Sequence, residues 1–118
     1  MSKHSKIGIK GEQFAEYFLQ KKGYIILHRN WRTGKKEVDI IAQKGDMVIF
    51  VEVKSRSAVT LAFPEEAVTA KKQQHLKVAA AEFMDAFPVY RNARFDIVSV
   101  LFNNGLLHEI MHFEEAFH

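Results

Sequence analysis

Four ionisable residues, Glu37, Asp39, Glu52 and Lys54, interrupt a stretch that is otherwise almost wholly apolar. Around them the chain reads Val38, Ile40, Ile41 and Ala42, then Met47 through Val51, and Val53. Runs this rich in Val and Ile read as strands. Side chains on a strand alternate between faces, so Glu37 shares a face with Asp39, and Glu52 with Lys54. A two-residue type II′ turn at Gly45-Asp46, with glycine at the position of positive φ, sets the register. It places Gln43 opposite Val48, Ile41 opposite Phe50, Asp39 opposite Glu52 and Glu37 opposite Lys54. All four ionisable groups then fall at one end of one face, and the other face reads Val38, Ile40, Ala42, Ile49, Val51 and Val53. A one-residue slip would scatter the charges over both faces.

Two carboxylates directly opposite one another repel, at about 0.2–1 kcal/mol in a sheet, and add nothing to folding. A divalent cation between them turns that repulsion into ligation. Mg²⁺ and Mn²⁺ take oxygen ligands, commonly one or two carboxylates completed by water and substrate phosphate oxygens. Such an ion activates water and stabilises charge on a phosphoryl group. Lys54 could hold the attacking water or neutralise the pentavalent phosphorus. The plain alternative is surface charge: Glu-x-Lys arises by chance in about half of chains this long, and edge strands use charge to resist aggregation.

The elements that carry these residues follow from periodicity. Ile7, Gly11, Phe14, Ala15 and Phe18 mark a helix over Ile7–Lys22, with Ser5 as N-cap and Gly23 as its stop. Strands are expected at Tyr24–Arg32, Glu37–Gln43 and Met47–Ser55, followed by a loop over 56–63. Pro64, with Glu65 and Glu66 behind it, opens a second helix to Phe87. Val68, Leu76, Ala79, Ala80, Phe83 and Phe87 form its buried stripe. Strands Phe95–Phe102 and Leu106–Phe113 close the chain through a type I′ turn at Asn104-Gly105. The order αβββαββ specifies an α/β fold, a mixed sheet with flanking helices, as a single domain over 1–118.

Composition narrows the classes. The 118 residues contain no cysteine, which removes disulfides, thiol nucleophiles and thiolate metal sites. Lys and Arg number 17 against 14 Asp and Glu, a formal charge of +3, which leans mildly towards a polyanionic partner. No apolar run approaches the roughly 20 residues that span a bilayer, and the first residues lack a signal-peptide core. A cytoplasmic protein with no membrane partner is expected.

Asp39, a twelve-residue gap and Glu52-Val53-Lys54 resemble the PD-(D/E)XK signature of restriction endonuclease-like nucleases, with Val38 in place of the usual proline. Gly11-Glu12, Gly23-Tyr24, Arg29-Asn30, Glu37-Val38-Asp39, Phe50 through Arg56, Lys72 and Arg94-Phe95-Asp96 together resemble the YraN family of small endonucleases, themselves similar to archaeal Holliday junction resolvases. One departure is Lys36 before Glu37, where that family more often has glycine. The resemblance implies a restriction endonuclease-like fold and metal-dependent hydrolysis of phosphodiester bonds in DNA, including branched or junction DNA. It implies Asp39 and Glu52 as ligands of Mg²⁺ or Mn²⁺, Glu12 as the helix carboxylate that completes the site, and Lys54 as catalytic lysine. A homodimer is implied as well, since resolvases cut symmetrically with two sites.

Arg29, Asn30, Arg32 and Arg56, with Lys35 and Lys36, cluster in sequence around this site and are candidates for phosphate contact. Lys72 projects into the apolar stripe of the second helix, so it must snorkel, meet an acid or reach a phosphate. Trp31 is expected as a core or rim aromatic rather than a base-stacking one, His108 and His112 at the surface, and Arg94 paired with Asp96 within the sheet. Two other readings are open: a non-catalytic nucleic-acid-binding module on the same fold, and an interaction domain using the exposed strand near Phe113.

Overall fold

Ser5 Oγ accepts the Gly8 N–H at 3.1 Å, which satisfies one of the unpaired donors of a first helical turn. From this cap α1 runs over Lys6–Lys21. Strands β1 (Ile25–Thr33), β2 (Lys36–Lys44) and β3 (Met47–Ser57) follow, then α2 (Ala70–Ala86), β4 (Asn92–Asn103) and β5 (Leu106–Phe117). The structure, a computed structural model, describes residues 5–57 and 68–118. The five strands form one sheet in sequential order. β3 and β4 are parallel, joined across α2, and the other neighbours are antiparallel.

Each helix covers one face. Ala15 and Leu19 of α1 pack with Ile40, Ala42, Ile49, Val51, Val53 and Val98. Leu76, Ala79 and Phe83 of α2 pack with Val38, Ile41, Val48, Phe50 and Ile97 on the other side. Burial on both faces is why β2 and β3 read as continuous apolar runs. The element order is αβββαββ, as the sequence indicates. Among the described residues no helix is long and apolar enough to cross a membrane.

Both tight turns form where their glycines allow. Gly45 has φ 63° between the paired residues Lys44 and Met47. Asn104 and Gly105 have φ 52° and 77°, the two left-handed residues of a type I′ turn. The boundaries of α2 differ from expectation. Thr69 Oγ1 accepts the Lys72 N–H at 3.2 Å, so the helix begins at Ala70 rather than Pro64. Threonine can cap with its hydroxyl, an option proline lacks. Val68 is buried ahead of the helix, not within its stripe. Residues 64–67 lie outside the described residues, as do 58–63 of the expected loop, while Arg56 and Ser57 extend β3. Phe87 is the C-cap and is 39% exposed.

Candidate active site

The β2–β3 ladder follows the expected register from Lys44↔Met47 to Ile40↔Val51 and stops there. The next pairs, Asp39↔Glu52 and Glu37↔Lys54, do not join it. Instead Asp39 Oδ2 accepts the backbone N–H of Val53 at 2.8 Å. The carboxylate thus substitutes for a main-chain carbonyl just where the strands part, and its burial is compensated by a fixed donor.

The cause lies in alternation. Val38 packs in the α2 layer and Ile40 in the α1 layer, although residues two apart on a regular strand share a face. The chain therefore turns over at Asp39. Across on β1, Asn30 sits between the pairs Arg29↔Ile40 and Trp31↔Val38 with φ 50°. Asparagine tolerates this left-handed conformation. Two apolar residues flanking Asp39 each find a core, one per face, and the polar residue between them absorbs the irregularity. Hence Val38 leaves the uniformly apolar face foreseen for it, and Glu37, Asp39, Glu52 and Lys54 do not share one face.

Asp39 and Ile40 together line a cavity of about 200 Å³ on the α1 side, with Glu12, Glu16, Arg29 and Asn30. Glu12 is brought there by close packing: a Cβ on Gly11 would lie 1.7 Å from Ser55 Oγ and 2.9 Å from Ser55 Cβ. Only a glycine lets α1 approach β3 so closely. Arg29 does not extend freely towards solvent. Its Nε and Nη2 each donate to Glu16 at 2.6 Å, and this pairing raises its pKa.

Glu52 lies on the opposite face, in line with Val48 and Phe50. Its side chain is 1% exposed, and Lys72 Nζ stands 3.1 Å from Oε2. The lysine in the apolar stripe thus meets an acid. Lys54 and Arg56 follow Glu52 at two-residue spacing in an unbroken parallel register with β4, so they continue the α2 face. Arg32 lies on that side as well, with its Nε 3.7 Å from Glu37 Oε2. Trp31 packs edge-on against Phe83 at 5.3 Å, a rim aromatic of the core.

The site residues therefore form two groups. Glu12, Asp39, Arg29 and Asn30 border α1, and Glu52, Lys54, Arg56, Lys72 and Arg32 lie towards α2. The Asp39–Val53 hydrogen bond joins them, since the Val53 nitrogen is bonded to the Glu52 carbonyl carbon. Among the described residues no three His, Asp or Glu side chains converge to hold a metal ion, so Glu12, Asp39 and Glu52 are not gathered as one triad. Asp39 and Glu52, both 1% exposed, remain a pair of hard oxygen donors on adjacent strands. Carboxylate oxygens of this kind are the donors that Mg²⁺ and Mn²⁺ take.

A second polar cluster escaped the sequence reading in part. Arg94 donates from Nε and Nη2 to the two Asp96 oxygens, each at 2.8 Å, and from Nη2 to Tyr24 Oη at 2.7 Å. His112 Nε2 lies 2.7 Å from Asp96 Oδ2, and the Glu115 N–H donates to Oδ1 at 3.0 Å. Burial pushes the Asp96 carboxyl up, but the hydrogen bonds from His112, Arg94 and Glu115, with the Arg94 charge, outweigh it and hold it below the ordinary range. Burial of Tyr24 dominates over Arg94 and raises the phenol. The Arg94–Asp96 pair is as expected, whereas the His112 side chain is 3% exposed and not a surface residue. Irregular pairing between Phe95 and Ile97 and the left-handed Glu115 (φ 52°) fold the end of β5 over Asp96. The legible signal was Asp96 itself, an acid in the apolar run from Phe95 to Val98.

The model of a family described as "Uncharacterised protein family UPF0102" matches residues 11–100. A UPF0102 protein of Bacteroides thetaiotaomicron is 42% identical over 118 residues, covering all of this chain and 97% of that protein. One from Caldicellulosiruptor saccharolyticus is 46% identical over 100 residues, 83% of this chain and 84% of its own. One from Rhodococcus jostii is 37% identical over 118 residues, 99% and 100% of the two chains. With the family model matched from the α1 glycine through the Asp39–Glu52 junction to β4, and relatives alike over most or all of their length, the chain belongs to UPF0102, the YraN family.

Proposed function

We propose that the protein is a divalent-metal-dependent nuclease that hydrolyses phosphodiester bonds in DNA. The observation that carries this reading is the replacement of the Asp39↔Glu52 pair by a side-chain bond. Both carboxylates are solvent-excluded: that of Asp39 accepts the Val53 N–H, and Glu52 is the residue that precedes Val53. Two buried acids on neighbouring strands add little to folding by themselves, whereas carboxylate oxygens are the donors that a hard cation takes. Asp39 and Glu52 would hold Mg²⁺ or Mn²⁺, and the bound ion would supply water activation and charge stabilisation at phosphorus.

The chain's own residues supply the rest. Lys54, on the Glu52 face, holds the attacking water or offsets negative charge on the phosphoryl oxygens. Arg32, Arg56 and Lys72 position the strand through its phosphates. Asp39 is kept in place by the Val53 N–H, so its carboxylate is preorganised without solvent. Glu12 faces the same cavity as Asp39 and orients groups that enter from the α1 side.

Incubation with linear, nicked, flap and four-way DNA in Mg²⁺ or Mn²⁺, read on denaturing gels, tests this. Cleavage of any of these that Asp39→Asn and Glu52→Gln both abolish is expected. Binding without cleavage under all conditions would select the non-catalytic nucleic-acid module instead, a reading favoured by one observation, the ammonium already paired with Glu52.

A further inference from the structure

The β1–β2 connection is a two-residue turn, Gly34-Lys35, between the paired residues Thr33 and Lys36, with Gly34 at φ 61°. A turn this short fixes the register of the strands it joins, so Lys35 and Lys36 are presented from a defined corner. That corner is tied to α2, because Thr33 Oγ1 donates to the Glu82 carboxylate. Between the turn and the first turns of α2 lies a cleft of about 260 Å³, lined by Arg32, Lys35, Lys36, Lys72 and His75, with Glu37 as its acid.

The charge of this cleft is one-sided. Arg32 stands 3.7 Å from Glu37, and Lys72 stands 3.1 Å from Glu52. With both of those cations set against acids, Lys35 and Lys36 still bring two positive charges, and among the described residues neither has an acidic partner. His75 adds a ring N–H donor in either protonation state. Leu76, 1% exposed, supplies an apolar wall. Charges of one sign in a concavity with apolar walls focus the field and gather counter-ions, and lysine binds phosphate as a point charge.

Position selects the anion. Lys72 lines the cleft and also touches Glu52, and Lys54 and Arg56 continue the same α2 face. The cleft therefore opens beside the acid proposed to hold the metal. A ligand that fills the cleft and also reaches that acid must be extended and must repeat its negative charge, as a nucleic-acid backbone does.

We infer that the cleft is a phosphodiester subsite, in which Lys35 and Lys36 bind a backbone phosphate of the strand away from the bond to be cut. Lys72 stays with Glu52 and forms the boundary between the subsite and the acid. The contact sets the position of the strand and reads no base. The inference rests on the proposed nucleic-acid substrate and is independent of metal binding at Glu52.

Fluorescence anisotropy of a labelled DNA duplex with 5′-hydroxyl ends, so that every phosphate offered is a diester, gives the affinity of the whole chain in chelator over a series of salt concentrations. Lys35→Ala/Lys36→Ala should bind more weakly and lower the slope of log affinity against log salt by about two units, one for each lysine. Lys35→Arg/Lys36→Arg keeps both charges and should restore the parent's slope. Lys10→Ala/Lys21→Ala removes two exposed charges from α1 instead, and should leave the slope near the parent's. A slope unchanged in the cleft variant, lowered equally by the α1 pair, or not restored by arginine would overturn the inference and leave DNA as the substrate. No binding by the parent would remove the nucleic-acid reading with it. Inorganic phosphate titrated by calorimetry should show no site approaching the affinity of the duplex. A phosphate site as tight as the duplex would assign the cleft to small free anions and overturn the strand assignment.

Discussion

Lys72 Nζ stands 3.1 Å from Glu52 Oε2, and the two partners are unequal: the glutamate is 1% exposed and the lysine 31%. Breaking the pair therefore has different consequences from its two ends. Lys72→Met removes a counter-charge from a buried carboxylate and should cost about 3 kcal/mol. Glu52→Gln frees a lysine that can turn into water and should cost less, about 1 kcal/mol. Urea unfolding of both variants in chelator measures the difference, and equal losses would mean that Glu52 is hydrated in solution.

Asp39 serves both backbone and chemistry, and two substitutions separate these. Asp39→Ala strands the Val53 N–H and should cost about 1–3 kcal/mol. Asp39→Asn keeps an acceptor oxygen, so its stability should stay within about 1 kcal/mol of the parent while Mn²⁺ affinity falls. Denaturant melts and Mn²⁺ titration of the two variants check this together.

The Asp96 cluster predicts an acid limb in the stability profile. Its carboxyl is held below the ordinary value in the folded state by His112, Arg94 and Glu115 against the opposing effect of burial. The stabilisation is therefore present in full above the unfolded value of about 3.9. It is lost as pH falls through the lower folded value. Asp96→Asn should cost about 3 kcal/mol near neutrality, with the gap to the parent narrowing below about pH 4. Unfolding free energies across pH 3–7 test it, and a gap independent of pH would contradict the assignment.

Gly11 fixes how near α1 lies to β3, and so where Glu12 sits. Alanine there gains about 1 kcal/mol of helix propensity, but its Cβ would fall 1.7 Å from Ser55 Oγ. Overpacking costs about 1–3 kcal/mol, so Gly11→Ala should destabilise on balance. Ser55→Gly in the same chain should restore most of the loss, as read from melting temperature.

The sequence was most legible where periodicity and turn chemistry act locally. The Gly45-Asp46 and Asn104-Gly105 turns fix both hairpin registers near the turn, and the apolar runs of β2 and β3 marked them as strands, though not as covered on both faces. Extrapolating the register fails at Asp39, because Val38 and Ile40 go to different cores and no pattern within one strand records which core will claim a residue. The pairing of Lys72 with an acid was legible from its place in an apolar stripe. His112 was not, since its burial depends on the irregular end of β5 folding over Asp96. Arg29 read as a phosphate contact, yet its bidentate partner Glu16 comes from another element, which charge clustering along the chain does not reveal.

The two carboxylates at the strand junction are tested most directly by thermal melts of the parent, Asp39→Asn and Glu52→Gln, each with and without millimolar Mn²⁺. Only the folded chain brings both ligands together, so the ion should stabilise the parent by mass action, about 2.7 kcal/mol at a hundred times the dissociation constant. For a chain of this size that is a rise of about 10 °C. Both variants should lose most of that rise. Equal Mn²⁺-induced shifts in all three proteins would show that neither Asp39 nor Glu52 is a ligand, and would contradict the metal-dependent nuclease.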